Sequence, residues 1–190
     1  MDAFTFGFAV MAGAVLLGLG LVLWAIGAFN KLVRLRTLAQ EGWSGIGVQL
    51  TRRYDLIPNL VETVKGYASH ELATLEKVIA ARNSAQQAIT PGQKAEAETQ
   101  LATGLRQIFA LAENYPDLKA NQNFMHLQTA LTGLEDELQL SRRYYNGAVR
   151  EYNGYMGSFP ALLLAARFGH VPMEFFEAPD VAQQTPKVSF

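Results

Sequence analysis

From residue 3 to residue 30 the chain carries no charged side chain, and this run constrains its fold more than any other feature. Its apolar body, Phe4 to Phe29, reads FTFGFAVMAGAVLLGLGLVLWAIGAF. A helix needs roughly 20 predominantly apolar residues to cross the hydrocarbon core of a bilayer, and this run exceeds that with room for tilt. Trp24 and Phe29 stand near one end, where aromatic rings favour the interface, and Lys31, Arg34 and Arg36 follow at once. A cleaved signal peptide is the competing reading. It would show a positive region before a shorter apolar core and a small-x-small cleavage site. Here Asp2 is the only charge ahead of the run, and the run is too long. The expectation is an uncleaved anchor, residues 1–30 forming a short tail and one transmembrane helix. The basic residues after it place the C-terminal domain in the cytoplasm and the N-terminus outside.

Gly13, Gly20 and Gly27 recur at heptad spacing within the anchor, and Ala9/Gly13 and Ala14/Gly18 are small-xxx-small pairs. Small residues let helices approach closely in lipid, so these glycines are candidate packing positions. Glycine is also simply common in membrane helices, and the spacing alone does not separate the two readings.

All 16 Lys and Arg residues lie beyond the run, and so do all the acidic ones except Asp2. The chain beyond the anchor is therefore close to neutral, with no general pull toward nucleic acid. Cysteine is absent, which removes disulfides and thiolate metal ligands.

Beyond Lys31 the apolar spacing is helical and no stretch alternates as a strand would. Leu32, Leu35, Ala39, Trp43, Ile46 and Leu50 step by three or four, so the membrane helix is expected to continue into the aqueous domain. Gly42, Gly45 and Gly47 weaken that helix, each by about 1 kcal/mol against alanine, unless another helix packs closely there or the helix kinks. A second helix is expected to open at Asp55-Leu56-Ile57-Pro58, with Asp55 as N-cap and Pro58 in the first turn. Val61, Val64, Ala68, Leu72, Leu75 and Ile79 give it one stripe, to about Ile89. Thr90-Pro91-Gly92-Gln93 combines an N-cap threonine, a proline at the first helical position and a glutamine three residues after the cap. It opens a third helix with Leu101, Leu105, Ile108 and Leu111 on its stripe. Asn114-Tyr115-Pro116-Asp117 ends that helix and begins a fourth. There Phe124, Leu127, Leu131, Leu134, Leu138, Ser141, Tyr145, Ala148 and Tyr152 form a coiled-coil-like seam. Short connections favour antiparallel neighbours in up-down order. The predicted fold is thus all-α, a transmembrane helix followed by an elongated antiparallel bundle over residues 31–177. ALLLAARFG, from Ala161, either caps the bundle or lies at the membrane surface, and residues 178–190 form a loose tail.

Three segments, EGWSGIGVQLTRRYDLIPNLVETVKGYASHE (Glu41 to Glu71), ENYPDLKANQNFMHLQ (Glu113 to Gln128) and SRRYYNGAVREYNGYMGSFP (Ser141 to Pro160), closely resemble the LemA family. The resemblance implies a bacterial inner-membrane protein with a short outer tail, one membrane helix and a long antiparallel bundle. It also implies links to membrane-associated assembly, a magnetosome protein among the relatives, and to neighbours such as M48-type membrane metallopeptidases. Gly42, Gly45 and Gly47 depart from the commoner family pattern of alanine or polar residues.

No catalytic, cofactor or metal site emerges from the residues. His70, His126 and His170 are the only histidines, and none lies within a helical turn of another, whereas a zincin pairs two at i, i+4. Ser69-His70-Glu71 is contiguous, so on a helix its members would point to different faces. Glu135-Asp136-Glu137 spreads around a helix in the same way. No glycine loop of the phosphate-cradling kind is present. No cofactor and no small-molecule substrate are expected.

Arg52 and Arg53, before Tyr54, and Arg142 and Arg143, before Tyr144, are candidate interaction residues, because arginine and tyrosine are enriched at binding hot spots. The competing reading is local ion pairing with Asp55, Glu137 or a helix C-terminus. Asn59 and Glu62, beside Pro58, are further candidate contacts. Tyr145-Asn146 and Tyr152-Asn153 repeat at one heptad, with both tyrosines on the seam, which favours core packing with a polar tip. The function this supports is a membrane-anchored scaffold or adaptor whose partners are the bilayer and either further copies of itself or another membrane protein. A signalling helper relaying through the first helix is the alternative, and an enzyme with an unfamiliar site ranks last.

Overall fold

The charges at Lys31 do not interrupt the helix that precedes them. The computed structural model describes residues 3–177, and its first helix, α1, runs unbroken over Ala3–Lys65. Five helices come after it: α2 Leu72–Gln87, α3 Pro91–Ala112, the single turn α4 Pro116–Lys119, α5 Gln122–Gly157 and α6 Ala161–Arg167. No strand occurs among the described residues, so the fold is all-α as expected. The expected loose tail at 178–190 lies outside the described residues.

The described residues form two compact units, one from residues 3–39 with 148–173 and one from 40–147 with 174–177. In the first, the apolar part of α1 is long enough to cross a membrane, and its most apolar stretch buries no residue within the chain. Further along, Leu32 and Leu35 pack with Tyr152 and Ala165, and Lys31 Nζ lies 4.2 Å above the Tyr155 ring. In the second unit Gly42 faces Tyr145, Arg53 meets Glu135, and Asn121 donates to the Tyr67 hydroxyl. Falling numbers on α5 opposite rising numbers on α1 make the two antiparallel within each unit. Phe124, Leu131, Leu138, Tyr145 and Tyr152, every seventh residue of α5, are all buried. Leu127, Leu134, Ser141 and Ala148 between them are only half-buried.

Two boundaries differ from the sequence expectation. No helix opens at Asp55, because α1 passes through Pro58. Proline lacks the N–H that would donate to the carbonyl four residues back, that of Tyr54. Arg82 of α2 supplies the missing donor, its Nε reaching Tyr54 O at 2.8 Å. The break comes later, at 66–71, where Ala68 stays buried and so keeps the apolar stripe running across a turn. Ser69, His70 and Glu71 lie in that turn, not on a helix as the sequence suggested. The other differing boundary is at Asn114–Asp117, which ends α3 but opens only α4. Asn121 is the residue that starts α5, its Oδ1 accepting from Phe124 N at 3.0 Å.

The third helix begins where expected. Gln93 N donates to Thr90 Oγ1, and Thr90 N donates back to Gln93 Oε1, with Pro91 at the first position. Gly42 is explained by close packing, since a Cβ there would stand 3.1 Å from both Tyr145 Cα and the Tyr144 ring. At Gly45 and Gly47 a Cβ would meet nothing within 4 Å, and α1 is helical through all three.

Candidate functional site

The second unit buries charge on the faces where helices meet. Arg53 occupies a seam position of α1, in step with Ile46, Leu50 and Ile57. Glu98 sits three residues before Leu101 on the buried stripe of α3. The helices therefore drive both ionisable groups inward, at 4 % and 0 % exposure. Arg53 Nη1 donates to Glu98 Oε2 at 3.1 Å, and the Tyr54 hydroxyl donates to Glu98 Oε1 at 2.5 Å. Glu135 of α5 joins from the other side, 2.8 Å from the same Nη1. Arg142, one heptad beyond Glu135, is half-buried and lies 4.8 Å above the Phe176 ring.

Two acids and two guanidiniums thus balance in formal charge, and desolvation is the largest influence on Glu98 and Arg142. Burial raises the Glu98 carboxyl above the usual carboxylate range, with the Tyr54 hydrogen bond, Arg53 and Arg142 pulling it back and Glu135 adding to the rise. Tyr54 is pushed well above an ordinary phenol by burial and then by Glu98. Burial lowers Arg142, against the pull of Glu135 and Glu98. The Nε atoms of Arg53 and Arg142 have no hydrogen-bond partner among the described residues.

A cleft of about 270 Å³ opens beside this network between α3 and α5, walled by Leu105, Phe109 and Leu131, with Arg53, Arg106 and Glu135 at its polar edge. A raised carboxyl is one mark of a catalytic acid. Glu98, however, does not line the cleft, and the Thr132 hydroxyl in its wall donates to Gln128 O at 2.9 Å. The arrangement ties three helices together, Arg53 of α1 reaching Glu98 of α3 and Glu135 of α5, through charges that are costly to leave unpaired. No group of three or more His, Asp or Glu side chains among the described residues could share a metal ion.

The other candidate residues separate by exposure. Arg53 faces inward and pairs with Glu98 and Glu135, not with Asp55 or Glu137. Arg52, Asn59, Glu62, Arg143 and Tyr144 are exposed, Glu62 standing 3.9 Å from Lys65. Gly13, Gly20 and Gly27 are exposed too, with nothing within 4 Å of an added Cβ. The repeated Tyr-Asn pairs do more than pack. Tyr145 and Tyr152 are buried as expected, and their hydroxyls bond Glu174 O at 2.7 Å and His170 Nδ1 at 3.0 Å. Each asparagine forms a two-way bond with the backbone of the extended segment after α6. Asn153 pairs with Met173 at 2.8 and 2.9 Å, and Asn146 pairs with Phe176 at 2.9 and 3.3 Å. Glu98 was missed in the sequence, although its place in step with Leu101 was a usable signal. The asparagine role carried no local signal, because its partners lie 20 and 30 residues away.

A model of the LemA family matches residues 42–190. The chain belongs to the LemA family. Protein LemA of Metamycoplasma hominis is 24% identical over 157 residues, covering 82% of this LemA-family chain and 72% of that relative. Magnetosome protein MamQ of Magnetospirillum gryphiswaldense is 23% identical over 189 residues, covering 84% and 70%. Magnetosome protein MamQ 2 of Paramagnetospirillum magneticum is 23% identical over 209 residues, covering 95% and 77%. The family match takes in the buried charge network and both Tyr-Asn pairs, whereas the apolar run lies before it.

Proposed function

We propose that this LemA-family chain is a non-enzymatic, membrane-anchored helical scaffold that self-assembles or docks another membrane protein. One observation carries the reading: the apolar run and the first bundle segment are a single helix, and the apolar stretch is left uncovered by the rest of the described chain. Side chains such as Leu16, Leu17 and Leu23 are each more than 60 % exposed, and water is a poor solvent for so continuous an apolar surface. Lipid covers most of it, and the open Gly13, Gly20 and Gly27 face leaves room for the backbone of a second helix. The charge network supports a structural role for the bundle, since its titratable carboxyl is closed to substrate. Arg52, Arg143 and Tyr144 remain available on the surface as contacts. The magnetosome names of two relatives agree with a part in membrane-associated assembly.

The test is the native mass of the full-length protein extracted from its own membrane in mild detergent, with crosslinking before extraction. A homo-oligomer, or a stoichiometric complex with one membrane protein, is the expected result. Gly20→Leu should weaken the homo-oligomer by placing a branched side chain on the open face. A strict monomer without crosslinked partners overturns the proposal.

A further inference from the structure

Within the first unit, α6 is apolar on both its inner and its outer face. Ala161 and Ala165 point inward, Ala165 onto Leu32, Leu35 and Tyr152. The opposite face presents Leu162 and Leu163, the latter 63 % exposed. Phe159 in the preceding turn is 81 % exposed, and Phe168 and Val171 just after α6 are also open. Five large apolar side chains standing out together mark a contact surface and do not resemble ordinary solvated helix.

The level of this surface on α1 identifies what covers it. The Phe168 ring lies 4.9 Å from Phe29, the last residue of the apolar run. Two residues on, Lys31 reaches the Tyr155 ring. Antiparallel pairing then carries the end of α5, and the turn holding Phe159, back to the point where the apolar run ends. The charges agree with that position. Lys31, Arg34, Arg36, Arg150 and Arg167 are all exposed, and Glu151 is the one acidic residue of this unit among the described residues. Basic side chains around an apolar patch match an anionic leaflet, with aromatic rings at headgroup depth and long basic side chains reaching the phosphates.

We propose that α6 and the turn before it dock on the surface of the bilayer that α1 enters, Phe159, Leu162, Leu163 and Phe168 seating among the headgroups. This rests on the membrane-spanning reading of α1. It makes the first unit a foot on the membrane, held at a second point besides the anchor.

The chain has no cysteine, so a single introduced thiol can be labelled without ambiguity. Full-length protein carrying Leu17→Cys, Phe159→Cys or Leu163→Cys, each with an environment-sensitive fluorophore, would be reconstituted in vesicles of phosphatidylethanolamine and phosphatidylglycerol. Lipids carrying a quencher at headgroup depth or deep in the acyl chain report the position of each label. All three sites are exposed, and circular dichroism confirms that each variant is folded. The expected result is deep quenching at position 17 and severalfold stronger shallow than deep quenching at positions 159 and 163. Deep quenching at 17 with no lipid quenching at 159 and 163 overturns the docking while leaving the span intact. Absence of quenching at 17 overturns the span, and the docking falls with it.

Discussion

Glu98 holds the sharpest electrostatic conflict in the chain: a carboxyl without exposed surface, gripped by a guanidinium and a phenol. Neighbouring positive charge favours its ionised form and burial opposes it, and burial prevails, so its proton is held more tightly folded than unfolded. A group whose folded pKa is raised contributes stability that is fully present below its unfolded value and is lost as pH rises through the folded one. For Glu98 that window opens near the ordinary carboxylate value of about 4.3 and extends upward. Every tenfold gain in proton affinity corresponds to about 1.4 kcal/mol lost across it. Glu98→Gln keeps the shape and cannot ionise. Its melting temperature, compared with wild type from pH 4 to 7, should improve relative to wild type as pH rises. The absolute offset matters less than this slope, since Gln also loosens Arg53. A difference that shrinks with rising pH would mean that Arg53 and Tyr54 outweigh burial. Removing Arg53 instead should cost about 3–5 kcal/mol at a pH where Glu98 is ionised, because it strands a buried carboxylate, and less where Glu98 is protonated.

At the scale of elements, the continuity of α1 past Pro58 depends on a side chain from another helix. Without Arg82 the Tyr54 carbonyl loses its donor, which costs about 1–3 kcal/mol for a group taken from water. Arg82→Met should cost that much in wild type and clearly less in a Pro58→Ala background, where residue 58 regains its own N–H. A double-mutant cycle on thermal stability should give a coupling of about 0.5 kcal/mol or more, and strict additivity would rule the compensation out. The same example explains what the sequence made legible. Thr90 to Gln93 could be read directly because a capping box is complete within four residues. Pro58 misled because its compensation comes from Arg82, on a separate helix, and 66–71 was hidden because Ala68 stays buried in the turn. The helical stripes were legible because burial repeats with the helix period, and Phe124 to Tyr152 follows it throughout. The site was less so. Arg53 and Glu98 lie in step with apolar neighbours, but nothing local says that they meet. Asn146 and Asn153 bind backbone, which carries no residue signature at all.

For the whole molecule, net charge conceals a segregation. The sequence sums to −1, yet among the described residues the first unit holds five basic side chains against Glu151 alone, while acidic residues outnumber basic ones in the second. Three of the five, Lys31, Arg34 and Arg36, lie close enough to the apolar run to act during insertion, when only nearby basic residues influence orientation. Arg150 and Arg167 come into the unit only after folding, so they can strengthen a seated protein but cannot choose its side. The prediction that the bundle lies in the cytoplasm therefore rests on these three side chains. Lys31→Glu, Arg34→Glu and Arg36→Glu together should remove the bias and give a mixed population. A cysteine introduced at exposed Asn83 in the cysteine-free chain reports the side reached, through labelling of intact cells with a reagent that does not cross the membrane. In the parent the thiol should be protected until the cells are opened. In the triple variant a substantial fraction should label from outside. Labelling of the parent from outside would invert the assignment, and an unchanged triple variant would show that these three charges do not decide it.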